Sequence, residues 1–202
     1  EYGLGAIKGV ASSFIDHVCK KRSSIKLKNL WDFSQKIDIK LGGKKSLEAL
    51  SYSGAFDSLA PTRNVAIECV KDMVRDGANR FSKNNLKSGD LFAQVEEDFN
   101  PYEKFKDLPK LKLTEKLEFE KKSLGYYLSG HPVLAIDNKI KNLRTLAIQQ
   151  VTNDTQKASL VCLINNVRQI KDRKGQPLIF VNFSDGTGSM DGIISSDVIE
   201  NC

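Results

Sequence analysis

The sequence predicts a mainly α chain that closes in a small antiparallel β-segment, and three observations carry that reading. Apolar residues recur at helical spacing in the first two thirds: Phe14, Ile15 and Val18; then Val65, Ile67, Val70 and Val74; then Leu117, Phe119, Leu124 and Tyr127. Near residue 151 the pattern changes to short apolar runs of strand length. Two clusters of turn residues, Asp172-Arg173-Lys174-Gly175 and Ser184-Asp185-Gly186-Thr187-Gly188, separate three such runs and place them as a meander.

Taken in order, Tyr2 to Val10 reads as a short helix ending in a glycine hairpin at Gly9. The helix carrying Phe14 and Val18 breaks at Ser23-Ser24, and Asn29 or Asp32 can cap the next. Lys44 to Ser53 is helical again, closed by Gly54. Pro61-Thr62 opens a helix whose pattern weakens at Asp76-Gly77 and at Lys83-Asn84-Asn85. Residues 88–110 read as an exposed connector, with turn or extended signals at Asn100-Pro101 and Leu108-Pro109. Thr114 caps an amphipathic helix that Gly130-His131-Pro132 stops, and Val133 to Leu143 forms a further short one. The strands are expected at Ala158 to Ile164, Pro177 to Phe183 and Ser189 to Ile194. The domain reading is therefore 1–64, 65–112 as a connecting helix and linker, 113–149 as a helical segment, and 150–202 as the β-segment.

The chain has 202 residues, 40% hydrophobic and 28% charged, as in ordinary globular proteins. Its net charge of +6 favours a polyanionic partner, most simply nucleic acid. Its four cysteines, Cys19, Cys69, Cys162 and Cys202, form no CxxC pair, which argues against a zinc knuckle and for reduced thiols. No apolar run approaches membrane-spanning length. The chain opens without Met and closes just after strand-like text, so both ends read as cut from a longer protein.

Four stretches carry chemistry. At a tight glycine turn between two helices, backbone N–H groups of the turn and of the second helix's N-terminus point outward and hold a DNA phosphate. Gly9, Val10, Ala11 and Ser12 have that form, with Lys8 adding charge. This is the helix-hairpin-helix arrangement; its alternative is a plain helix pair packing on its neighbours. Lys44, Lys45 and Gly54 fall in a second, weaker hairpin over Lys40 to Phe56, and Lys20-Lys21-Arg22 is a further basic cluster, read as solvated helix ends. Ser88, Gly89, Asp90, Leu91 and Phe92 place two large apolar residues in a connector, either as a docking strip or packed on the chain's own helices. In the β-segment, Arg168, Lys171, Arg173, Lys174, Phe180 and Asn182 offer bases and an aromatic beside an oligonucleotide-binding sheet face. No catalytic or metal-ligating constellation appears: His17 and His131 lie far apart, and Asp185 and Asp191 read as turn formers.

Longer strings add a resemblance. Tyr2 to Val10, Leu47-Glu48-Ala49-Leu50 with Ser53 to Leu59, Glu118 to Lys122 with Leu124 to Pro132, and Phe183 to Asp191 resemble, in order, segments of the C-family replicative polymerases, the alpha subunits of bacterial DNA polymerase III. The resemblance implies a tandem helix-hairpin-helix region over 1–64 and a truncated OB-fold over 150–202. It implies a bacterial cytoplasmic DNA-directed DNA polymerase whose palm carboxylates and Mg2+ lie outside this chain, so that no catalytic residue, metal or cofactor belongs to these 202 residues. The partners implied are DNA, the beta sliding clamp through Ser88 to Phe92, and other holoenzyme subunits such as tau beyond this stretch. Three departures stand out: Ala11 replaces the second hairpin glycine, Gly42-Gly43 replaces leucine and asparagine, and Ser88 replaces the glutamine that opens the clamp motif. The expected function is a sequence-independent grip on duplex DNA with clamp tethering. The alternative is a module that only docks the clamp or neighbouring polymerase domains.

Overall fold

A computed structural model describes residues 3–86, 102–136, 143, 145–171, 173, 175–195 and 198, with side chains described at all of these except 78–86. Its contacts divide the chain into two units, Glu1–Tyr127 and Leu128–Cys202. The dividing line falls inside the stretch 113–149.

The first unit is built from helices. A single 3-10 turn, Leu4–Ala6, leads through Gly9 into α1, Ser12–Arg22. The expected short helix before Gly9 is thus only one turn, because glycine at residues 3, 5 and 9 leaves too few helix-favouring positions to propagate. Helix α1 ends where Ser23 and Ser24 turn their hydroxyls back onto the Lys20 and Lys21 carbonyls. Asn29 caps α2, Leu30–Lys36, its Oδ1 accepting the Asp32 N–H at 2.8 Å. A second 3-10 turn, Ile39–Leu41, precedes α3, Gly43–Ser53, which Gly54 closes in the left-handed conformation at φ 84°. Helix α4 runs unbroken from Arg63 to Leu86. The sequence pattern weakens at Gly77, yet the helix continues, because Ile39 packs against that position so closely that a Cβ would overlap it.

The core lies where α2, α3 and α4 meet, around Leu30, Ile37, Leu47, Val70 and Met73, all essentially buried. Phe33 joins two faces of it, edge-on to Phe14 at 6.3 Å and to Phe56 at 5.0 Å. Beyond α4 the chain returns at Tyr102, whose ring meets Trp31 edge-on at 6.0 Å. The Tyr102 hydroxyl accepts the Leu30 N–H and donates to the Leu59 carbonyl.

Helix α5 spans Leu113–Leu124 and packs on α3. Thr114 is not its cap: Glu115 accepts the N–H of Lys112 at 2.8 Å, so the chain enters the helix two residues earlier than a threonine cap requires. Nor does the helix reach Gly130. Gly125, at φ 90°, ends it, a left-handed position that favours glycine.

The second unit holds α6, Pro132–Ala135, and a three-stranded antiparallel sheet in the order β1-β2-β3. Helix α6 covers three residues of the expected Val133 to Leu143 helix, and 137–142 lie outside the described residues. The strands are β1, Leu163–Lys171, β2, Pro177–Ser184, and β3, Ser189–Ile194. Strands β2 and β3 fall where expected, while β1 lies later than the apolar run Ala158 to Ile164. The hairpin sets this: Lys171 pairs with Pro177 around a turn containing Gly175 at φ 79°, so the strand must run into the turn. Asp185 organises the second turn, accepting from the N–H of Thr187 at 2.8 Å, of Gly188 at 3.1 Å and of Ile148 at 2.7 Å.

Candidate nucleic-acid interface

The first hairpin is a row of backbone donors. Gly9, at φ 91°, reverses the chain, and Ala11 precedes α1 in an extended conformation. The N–H of Val10 bonds to the Ile7 carbonyl and that of Ala11 to the Ser46 hydroxyl at 3.2 Å. The N–H groups of Gly9, Ser12 and Ser13 meet no acceptor among the described residues, and all three residues are exposed. Free N–H groups at a helix start carry partial positive charge and suit an anion. Ala11 in place of a second glycine leaves this intact, since its φ of −69° suits any residue.

The start of α3 stands directly beside this row. Ser46, buried, also donates to the Gly9 carbonyl at 3.5 Å, so one hydroxyl joins the two hairpins. Gly42 lies under the Phe14 ring, where a Cβ would come within 2.6 Å. This gives the glycine pair a role: Gly42 permits the close approach and Gly43, at φ 61°, the entry into α3. Lys45 runs past Gly9, and Lys44 reaches toward Glu48 at 3.6 Å while staying exposed. The structure therefore brings Lys8, Gly9, Val10, Ala11, Ser12, Lys44 and Lys45 together.

It does not bring Gly54 to them. Gly54 closes the far end of α3, about 16 Å from its start at the usual helical rise. There its Cα faces the Arg63 guanidinium, which pairs with Asp57 at 2.6 Å and with Glu120 at 2.8 Å. Glu120 is wholly buried. Burial alone would lower the Arg63 pKa, but the hydrogen bonds to the two carboxylates outweigh it and raise it. Gly54 thus serves the fold of this ionic cluster rather than the hairpin surface.

Helix α5 forms a third side of the hairpin surface, which the motif spacing did not reveal. The Lys8 N–H donates to the Ser123 carbonyl at 2.7 Å. A cleft of about 430 Å³ opens between these elements, lined by Lys8, Lys45, Glu48, Tyr52 and Lys122. Tyr52 stacks on Phe119, ring centroids 4.5 Å apart and nearly parallel, and the Lys122 ammonium lies 5.1 Å from the Tyr52 ring. Burial, with Glu48 and Glu68 adding to it, raises the Tyr52 pKa, so the phenol stays neutral. The only sequence signal for Lys122 is its place in the string Glu118 to Lys122, which says nothing of where it points.

In the second unit, the register sets Arg168 opposite Phe180 and Asn182 opposite Asp191. Arg168, Phe180, Asn182 and Asp191 therefore share one face, and Lys171 falls on the other. Asn182 donates to Asp191 at 2.7 Å and accepts from Asn165 at 3.1 Å. Arg173 is exposed in the turn. Lys174, and Ser88, Gly89, Asp90, Leu91 and Phe92, lie outside the described residues. Among the described residues no three His, Cys, Asp or Glu side chains are grouped to hold a metal ion, and no helix is long and apolar enough to cross a membrane.

The fold and surface of this part are those of a helix-hairpin-helix region: the family described as the helix-hairpin-helix motif matches residues 1–66. The whole chain also aligns with proteins named DNA polymerase III subunit alpha. It is 27% identical to that of Pseudomonas fluorescens over 99% of the chain, 30% to that of Bacillus subtilis over 96%, and 31% to that of Staphylococcus aureus over 95%. The chain spans 17–18% of the length of these relatives. It belongs to the DNA polymerase III alpha-subunit family, as a segment of it.

Proposed function

We propose that this chain is the part of a replicative DNA polymerase that grips duplex DNA without reading sequence. The observation that carries the reading is the row of free N–H groups at Gly9, Ser12 and Ser13 beside Lys45. Such donors take phosphate oxygens and leave the base edges untouched, so they hold any duplex equally. The longer protein adds the nucleotidyl transfer, with its Mg2+ and carboxylates, and this segment keeps the duplex in place behind it. Ser88 to Phe92 then tethers the sliding clamp, Leu91 and Phe92 entering an apolar pocket. A weak contact of that kind suffices, because the tether raises the effective concentration of enzyme at its primer. A single strand would lie on the sheet face across Arg168 and Phe180, a reading supported by their sharing one face and opposed by the charge of Asp191 there.

The test is fluorescence anisotropy of a labelled primer–template duplex across a salt series. The chain should bind with steep salt dependence, and Lys44→Glu with Lys45→Glu should lower affinity more than tenfold at low salt, on the order expected for two phosphate contacts. Salt-insensitive binding, or none while the chain is folded, would sink the grip. Immobilised clamp tests the tether: capture should survive high salt and be lost in Leu91→Ala, Phe92→Ala.

A further inference from the structure

Three lysines from three separate elements converge on one cleft: Lys8 before the first hairpin, Lys45 at the start of α3, and Lys122 near the end of α5. None has a carboxylate partner within salt-bridge distance among the described residues, although Glu48 lines the same cleft and pairs with Lys44. Like charges gathered around one concavity repel, and an anion placed among them relieves the cost. Lys122 is also held in place. Its ammonium lies over the Tyr52 ring, Tyr52 is stacked flat on Phe119, and the helix end that carries it is bonded through Ser123 to the Lys8 N–H. A lysine fixed by a cation–π contact keeps its three donors for an outside acceptor.

We propose that α5 is part of the DNA grip, Lys122 and Lys45 holding in this cleft a backbone phosphate of the same duplex that the first hairpin engages. The inference rests on the duplex-grip reading and adds to it a binding residue outside the segment 1–66 that matches the helix-hairpin-helix motif. The ligand chemistry is a phosphate diester. A free polyphosphate offers similar oxygens, and the experiment separates the two.

The full chain is titrated with labelled duplex over a salt series, alongside Lys122→Gln, Lys45→Gln and Lys116→Gln. Lys116 sits on the same helix, away from this cleft, beside Asp57 and Arg63. Each lost phosphate contact should lower the slope of log K against log salt by about 0.9 and weaken binding by roughly three- to tenfold at low salt. The proposal expects this for Lys122→Gln and Lys45→Gln, with Lys116→Gln matching the parent. A normal slope in Lys122→Gln beside a reduced one in Lys45→Gln overturns the role of α5 and leaves the hairpin grip standing. Parent protein that binds no duplex overturns both. Inorganic pyrophosphate that binds the parent but not Lys122→Gln, and leaves bound duplex in place at matched ionic strength, assigns the cleft to a free anion and overturns the proposal as well.

Discussion

Single residues carry the sharpest tests of the fold. Gly54 combines a left-handed backbone with a guanidinium against its Cα, so Gly54→Ala should cost about 3 kcal/mol, read from urea unfolding at unchanged m-value. Glu120 is buried against Arg63, and Glu120→Ala, which leaves that charge half-paired, should cost about 3–5 kcal/mol. In the second unit His131 accepts the Val133 N–H on Nδ1 and shares a hydrogen bond between Nε2 and Ser184, so its neutral form is the one that fits. Burial lowers its pKa below 6.5, with Asp185 opposing the shift. The contribution of His131 to stability is then complete above pH 6.5 and is lost as the pH falls through the lower folded value. Amide exchange at Val133 should quicken over that range beyond its intrinsic rate. Asp185 behaves alike at lower pH: burial would raise its pKa, but its hydrogen bonds from Ile148, Thr187 and Gly188 hold it down at about 2. Its contribution is full above the ordinary carboxylate value near 4 and vanishes only as pH falls through 2.

The interface is an arrangement of elements, and packing between them sets its geometry. Gly42→Ala would push a methyl into the Phe14 ring and part the two hairpins. The expected result is a loss of about 2 kcal/mol in stability and weaker duplex binding with an unchanged salt slope, since no charge is removed. Much at this scale was legible in the sequence. The helix limits at Ser23, Asn29 and Gly54 follow from side-chain caps and a left-handed glycine, which are local and leave a local trace. The first hairpin was legible for the same reason. Strand β1 was not, because an apolar run marks burial rather than extension, and the turn at Gly175 decides the register from the far end. Gly77 misled because a glycine chosen for close packing by Ile39 looks, in sequence, like a helix breaker. Lys122 was invisible as a site residue, since its place beside Lys45 depends on α5 folding back over α3.

Across the whole molecule, burial is unevenly shared. The first unit owns a continuous core from Ile7 to Met73, whereas in the second the buried apolar residues are Val133, Ile148 and Val181 among those described. Apolar burial drives folding, so the second unit should open first, its sheet amides exchanging well before those of α3 and α4 in native-state hydrogen exchange. Protection in β2 equal to that in α3 would contradict this. The Arg63 cluster has a wider consequence. Glu120 reaches it from well past residue 66, where the match to the helix-hairpin-helix motif stops. A similarity border and a folding border therefore fall in different places here. Cut at the first, the chain would strand a buried cation and strip α5 from the wall it shares with the hairpins. What homology delimits as a portable motif is, in this protein, soldered to its downstream neighbour.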